Sequence, residues 1–359
     1  MDNNYCVIMA GGAGTRFWPA GTVEKPKQFL DVLGTGQTLL QQTFNRMLPV
    51  CAPENFLVVT NQKYKNLVLE QLPELEESQV LTEPDMRNTA PCVAYAAFCI
   101  RAIGGESSKM IVTPADHLIL KQSAFEQVLN TALTHVESSH DLVTMGIVPH
   151  RPDTGYGYIQ FENSEGKNIF EVKRFTEKPE LVKAEEFVAS GDFYWNSGMF
   201  VWQTEAIINE FKQHTPDIYN LFNLSASDYA KENRQENIKR VYKQCPSISI
   251  DYAIMENSDS VKMVKADIGW SDLGTWGSVY EAGDKDENDN VNLNGNVLFE
   301  DAGGNFVKVP DGKVSAIQGL NNFIVVDTEK ALLILNRDNG QQVKELRNSI
   351  EKRFGAGYI

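Results

Sequence analysis

The stretch Cys6-Val-Ile-Met-Ala-Gly-Gly-Ala-Gly-Thr-Arg-Phe-Trp-Pro19, continued by Lys25-Pro-Lys-Gln-Phe-Leu30, decides how this chain is read. Val7 to Met9 is a short apolar run of the kind that forms a buried strand. It breaks into a loop holding Gly11, Gly12 and Gly14. Glycine serves where φ is positive or where another group approaches the backbone closely. Successive N–H groups in such a turn form a concave anion site. Arg16, Lys25 and Lys27 follow and supply full positive charge, so the guest that fits is a polyphosphate. Two familiar phosphate motifs are excluded. After Gly12-Ala-Gly14 the dinucleotide fingerprint requires a third glycine where Phe17 stands, and no Gly-Lys-Ser/Thr follows a four-residue gap. The competing reading is a glycine-rich surface turn with incidental charges. Three cations directly after a strand-to-loop break favour the phosphate loop.

The whole chain narrows the function further. Its 359 residues, 42% hydrophobic and 23% charged, are ordinary globular material with room for more than one domain. A net charge of -15 argues against nucleic-acid or anionic-membrane partners, which need a basic face. It also means that cations, or a metal, must be concentrated wherever a phosphorylated substrate is accepted. Five scattered cysteines form no C-x-x-C pair and read as buried thiols in a reducing compartment. The N-terminus reaches a predicted strand at once, without a signal peptide, and no apolar run approaches about 18 residues. A cytoplasmic protein that does not bind membranes is expected.

Up to about residue 147, short apolar strands alternate with helical stretches. Phe56–Thr60, Val80–Thr82, Met110–Thr113 and Leu142–Ile147 read as strands, and Thr89–Ala102 and Ser123–Val136 as helices. This alternation predicts an α/β fold, Rossmann-like, with a mixed but mostly parallel sheet flanked by helices. Ligands of such sheets bind beyond the carboxyl ends of the strands, where the glycine loop, Glu83 and Asp116 fall. Further on, Val172–Thr176, Phe193–Trp202 and Val261–Val264 read as strands, and Asp284–Asn290 as a polar linker. The expected organisation is a catalytic domain over 1–284 and a small β domain over 291–359. The latter has short strands at Asn296–Glu300, Phe306–Val309, Phe323–Asp327 and Ala331–Leu335 and a charged terminal helix. No strict repeat is evident.

A set of segments resembles the sugar nucleotidyltransferases. They are Gly11-Gly-Ala-Gly-Thr-Arg16 with Trp18-Pro19, Lys25-Pro-Lys-Gln-Phe29, Glu83-Pro84, Arg87-Asn-Thr-Ala-Pro91, Thr113-Pro-Ala-Asp-His117, Gly155-Tyr-Gly-Tyr-Ile159, Phe175-Thr-Glu-Lys-Pro179, Trp195-Asn-Ser-Gly-Met199 and Trp270-Ser-Asp-Leu-Gly274. The Arg-Asn-Thr-Ala-Pro and Thr-Pro-Ala-Asp-His segments are similar to the mannose–guanine branch, the mannose-1-phosphate guanylyltransferases. The resemblance implies a nucleotidyltransferase fold. It implies GTP and mannose 1-phosphate as substrates, GDP-mannose and pyrophosphate as products, and Mg²⁺ as cofactor. Some members carry a further phosphomannose isomerase domain; with the chain ending at Ile359, a monofunctional enzyme is expected. A homodimer through the C-terminal β region is the expected assembly. The alternatives are a pyrophosphorylase for another hexose 1-phosphate or nucleotide, and a non-catalytic sensor of nucleotide sugars.

The implied chemistry needs no general base. A phosphate monoester with a second pKa near 6 is already largely ionised at neutral pH, so its oxygen can attack the α-phosphorus directly. Catalysis then rests on positioning and charge neutralisation. Arg16 and Lys27 are the candidates for holding the β- and γ-phosphates, with Lys25 a third; each could equally be a solvated surface cation. The resemblance assigns Asp116 and Asp272 as the metal pair, a choice that suits a hard cation held by carboxylates, phosphate and water. Against it, both could simply cap turns or helices. Ala10, Gly11, Gly12, Gly14 and Thr15 are expected along the nucleotide, and Glu83, Asn88 and Thr89 near its base or ribose. Glu83 could instead be a strand terminus, and Asn88 the cap of the following helix. By resemblance, Lys178 contacts the sugar phosphate, Glu177 and Asn196 the sugar hydroxyls, and Gly157 lets the hexose approach.

Overall fold

A computed structural model describes residues 3–12, 14–104, 107–162 and 168–359. Ala13, in the middle of the glycine motif, lies outside the described residues. By compactness the chain divides into two units, each assembled from separated segments. The first comprises Met1–Gly11, Thr43–Ala115 and Ile119–Trp270; the second comprises Gly12–Gln42, Asp116–Leu118 and Ser271–Ile359.

The first unit is built on one nine-stranded sheet. Its strands in chain order are β1 Asn4–Met9, β2 Phe56–Asn61, β3 Val80–Glu83, β4 Lys109–Pro114, β5 Leu142–Ile147, β6 Tyr158–Phe161, β7 Ile169–Thr176, β8 Phe193–Gln203 and β9 Val261–Lys265. They lie in the order β3-β2-β1-β4-β8-β5-β9-β7-β6, with β6 also paired to β8. Val7, Ile8, Val58, Val59, Ile111 and Val112 are all buried, so the central strands are covered on both faces. Near-continuous apolar runs are the signature of such strands.

The β3-β2-β1-β4 half is wholly parallel. Beyond it, β8 runs antiparallel to both β4 and β5, and β7 antiparallel to β6 and β9. The sheet is therefore mixed: β5 and β9 also pair in parallel, but the remaining pairings beyond that half are antiparallel, so mostly parallel pairing describes that half and not the whole sheet. Alternation of strand and helix signals crossovers but carries no direction for a late strand. Here β8, 11 residues long, inserts between β4 and β5 pointing the other way.

The parallel half matters for function because it aligns strand ends. Met9 is level with Val59 and Pro114, and Glu83 with Asn61. Behind it lies the helix Thr89–Gly104, buried from Ala90 to Ile100 and carrying Pro91 in its first turn, where proline is tolerated.

The second unit gathers the glycine loop, the Asp116 corner and the C-terminal strands around one core. That core includes Phe17, Trp18, Leu118, Leu273, Trp276, Phe306, Ile324 and Val343. Trp276 lies 4.8 Å from Phe17 and 5.4 Å from Phe306, ring to ring. Its indole N–H donates to the Trp18 carbonyl at 3.2 Å.

The C-terminal strands are wound as rungs. Val291–Asn294, Phe306–Lys308 and Phe323–Asp327 stack in parallel, closed by antiparallel Leu332–Asn336, while Asn296–Glu300 pairs in parallel with Val314–Gln318. Asn290 and Asn305 stand just before successive rungs, and the Asn305 side-chain amide donates to Asn290 Oδ1 at 2.9 Å. The Asn305 side-chain oxygen in turn accepts from the Phe323 amide at 2.9 Å. This asparagine ladder satisfies buried backbone groups at each turn. Asn290-Val, Asn305-Phe and Asn322-Phe, spaced by 15 and 17 residues, are the repeat that periodicity alone did not reveal.

Candidate active site

In the second unit, the loop conformation is set by Gly14. Its φ of 56° is left-handed, and a Cβ there would lie 2.5 Å from the Lys27 amide nitrogen. Any side chain would meet both a strained backbone and a neighbouring turn. The 3₁₀ turn Thr15–Phe17 follows, and Gln28 donates to the Gly12 carbonyl at 3.0 Å, tying the loop to the second turn, Lys27–Phe29.

Lys27 is buried, only 5% exposed. Its ammonium donates to Asp116 Oδ2 at 3.1 Å and to the Asp272 carbonyl at 2.6 Å. The Asp272 carboxylate accepts from the Gly274 amide at 3.0 Å, in a turn where Leu273 has a φ of 45°. Burial acts to raise the Asp116 carboxyl, but the Lys27 charge, then His117, then the Lys27 hydrogen bond outweigh it. The net shift is downward from 3.8.

These groups surround one cavity of about 270 Å³, lined by Gly14, Thr15, Arg16, Phe17, Lys27, Asp116, His117, Asp272, Gly274 and Lys344. Arg16, Lys27, Asp116 and Asp272, distant in sequence, are thus brought together. Lys25 is exposed on the Thr22–Lys25 turn and does not line this cavity. Lys344, from the terminal helix Val343–Phe354, does line it, and sequence reasoning missed it.

The donor set suits a hard divalent cation. Among the described residues no group of three or more His, Cys, Asp or Glu side chains is placed to hold a metal alone. Two carboxylates on a cavity beside a glycine loop would leave the other positions to phosphate oxygens and water, which is how magnesium is usually bound.

In the first unit, Glu83 ends β3 and is 6% exposed. Tyr242 donates to its Oε1 at 2.8 Å. Burial pushes the Glu83 carboxyl up to about 7, partly opposed by the Tyr242 hydrogen bond. A Cβ on Gly11 would come 3.5 Å from Glu83 Oε2, so the loop backbone passes close to this carboxyl. The Ala10 amide donates to the Val59 carbonyl at 2.8 Å, and the Ala10 carbonyl accepts from Thr60. Asn88, at a φ of 67°, accepts from the Thr89 amide through its side chain, and Thr89 Oγ1 accepts from the Ile250 amide. Asn88 thus holds the first amide of the helix, and Thr89 ties that end of the helix to the Ile250 segment.

A second group in the same unit surrounds Gly157. Lys178 Nζ pairs with Glu177 Oε1, and a Cβ on Gly157 would collide with Glu177 Oε2. Asn196 donates through its amide nitrogen to Asp251 Oδ1 at 2.8 Å and accepts from Thr144 at 3.2 Å. Burial first, and then the Glu177 charge, push the Asp251 carboxyl upward. Glu256 accepts from the Glu177 amide at 2.8 Å, fixing its backbone. Asp251 and Glu256 were not anticipated. For Asp251 the signal was an acid inside the apolar run Ile248-Ser-Ile-Asp-Tyr-Ala-Ile-Met255. Tyr242 offers no local signal, since its partner lies 159 residues away.

The glycine loop, the strand ends and the acid pair together define a nucleotidyltransferase. The Nucleotidyl transferase family matches residues 5–289, and the MannoseP isomerase/GMP-like beta-helix domain matches residues 295–349. A mannose-1-phosphate guanylyltransferase of Salmonella muenchen is 38% identical over 95% of this chain and 72% of its own length. The alginate biosynthesis protein AlgA of Pseudomonas aeruginosa is 38% identical over 96% of this chain and 72% of its own. A solved structure described as mannose-1-phosphate geranyltransferase, from Thermus thermophilus, superposes with a TM-score of 0.87. It is 29% identical and covers 97% of this chain and 99% of its own. The chain belongs to the nucleotidyl transferase family, and within it to the mannose-1-phosphate guanylyltransferases.

Proposed function

We infer that this chain transfers GMP from GTP to mannose 1-phosphate, releasing pyrophosphate and GDP-mannose. The observation that carries the reading is the convergence of Arg16, Lys27, Asp116 and Asp272 on the glycine-loop cavity. The sugar-phosphate oxygen attacks the α-phosphorus and pyrophosphate leaves in line. The nucleophile is already ionised near neutral pH, so no side chain needs to take a proton. Arg16 and the loop amides neutralise the departing pyrophosphate. Lys27 holds Asp116 ionised and orients it together with the Asp272 turn. We assign Asp116 and Asp272 as the residues that would hold Mg²⁺, which when bound offsets charge on the phosphates.

Glu83 is assigned to the guanine N1 and N2 donors, with Tyr242 fixing its other oxygen. Glu177, Asn196 and Asp251 are assigned to the hexose hydroxyls, and Lys178 to the sugar phosphate. The test is a panel of nucleoside triphosphates against hexose 1-phosphates, read by pyrophosphate release. Wild type is expected to favour GTP with mannose 1-phosphate, and Glu83→Ala to lose about tenfold or more of its preference for GTP over ATP. Equal rates across the sugars would sink the substrate assignment; unchanged base discrimination would remove Glu83 from base reading.

A further inference from the structure

We propose that Lys344, on the C-terminal helix, is a pyrophosphate-binding residue of the glycine-loop cavity. The inference rests on reading that cavity as the phosphate site. It starts from a shortage of charge. Lys27 is buried and committed to Asp116 and the Asp272 carbonyl, so its charge serves the acid pair. Counting these side chains alone, before any Mg²⁺, the two aspartates and Lys27 sum to -1; Arg16 brings them only to neutrality, and Lys344 makes them cationic. Neutrality is a poor host for a polyanion in a protein of net charge -15. Among the described residues neither Arg16 nor Lys344 is held in an ion pair, so both charges remain available to a ligand.

Position favours the role as well. Lys344 stands in the first turn of Val343–Phe354, directly after Val343, which is fully buried in the core with Phe17 and Trp276. The same helix packs on the Thr15–Phe17 turn. The side chain is therefore carried by a fixed element rather than a loose terminus. The β-helix domain then contributes directly to the phosphate site through its final helix.

The experiment is calorimetric binding of pyrophosphate with Mg²⁺ to the full chain, alongside the kinetics of GDP-mannose pyrophosphorolysis. Lys344→Ala is expected to weaken pyrophosphate binding, and to raise its KM, about tenfold, while the KM for GDP-mannose stays within about twofold. Lys344→Arg should restore most of the loss. Unchanged pyrophosphate affinity in Lys344→Ala overturns the proposal. So does a parallel rise in both KM values that Lys344→Arg does not rescue, because that marks a structural role. Wild-type binding of pyrophosphate without any turnover would refute the transferase reading and leave the binding comparison to judge Lys344.

Discussion

Glu83, proposed as the reader of the base, also couples stability to pH. In the folded chain its carboxyl titrates at about 7, against an ordinary value of 4.5, because burial disfavours the charge. The folded state therefore binds more protons than the unfolded state between these values, and stability falls as pH rises through that window. The difference corresponds to something on the order of 3 kcal/mol. Glu83→Gln should be relatively more stable than wild type at pH 8 than at pH 5, measured as urea midpoints across pH. A difference independent of pH would show that Glu83 ionises freely.

Arg16, Lys27, Asp116 and Asp272 were legible in the sequence because each sits in a short motif at a strand end or turn. Asp251, Tyr242 and Lys344 were not, because what gives each its place is packing against residues far away in the chain. Asn88 holds the Thr89 amide and Thr89 Oγ1 holds the Ile250 amide, contacts that spacing alone could not separate from the nucleotide role expected of both.

At the level of elements, the glycine loop depends on Gly14. Gly14→Ala would place a Cβ on the Lys27 turn and force a positive φ on alanine. We predict a loss of about 1–3 kcal/mol in stability and a larger fractional loss of pyrophosphate release, since Lys27 must shift. Gly12→Ala meets no atom within 4 Å and should be far milder. Denaturant titration of the two variants checks this, and equal losses would contradict it. Most strand positions were read because apolar runs bounded by turns are local signals; Tyr158–Phe161, Val291–Asn294 and Val314–Gln318, which lack such runs, were missed. Strand direction was not legible: β8 and β7 pair antiparallel with their neighbours, so the mixed sheet is less parallel than expected. Four strands of the β domain were read, but their winding into rungs was not, because the repeat lies in asparagines that precede the strands, not in the hydrophobic period.

At the level of the whole molecule, the glycine-loop cavity is made from three stretches of chain that meet in one compact unit: 12–42, 116–118 and 271–359. No linear cut of the sequence reveals that grouping. It follows from the aromatic core of Phe17, Trp18, Trp276 and Phe306, which joins the loop to the β rungs. An acidic chain thereby gathers Arg16, Lys27 and Lys344, together with an aspartate pair, around this cavity.

The most direct test is the single-turnover rate of pyrophosphate release by Asp272→Asn, with GTP, mannose 1-phosphate and Mg²⁺ saturating. Asp272 keeps its turn through the Gly274 amide, which asparagine can also cap, so the fold should persist. We predict an unchanged melting temperature and a rate lowered by about a hundredfold or more. A rate near that of wild type, still dependent on Mg²⁺, would contradict the account.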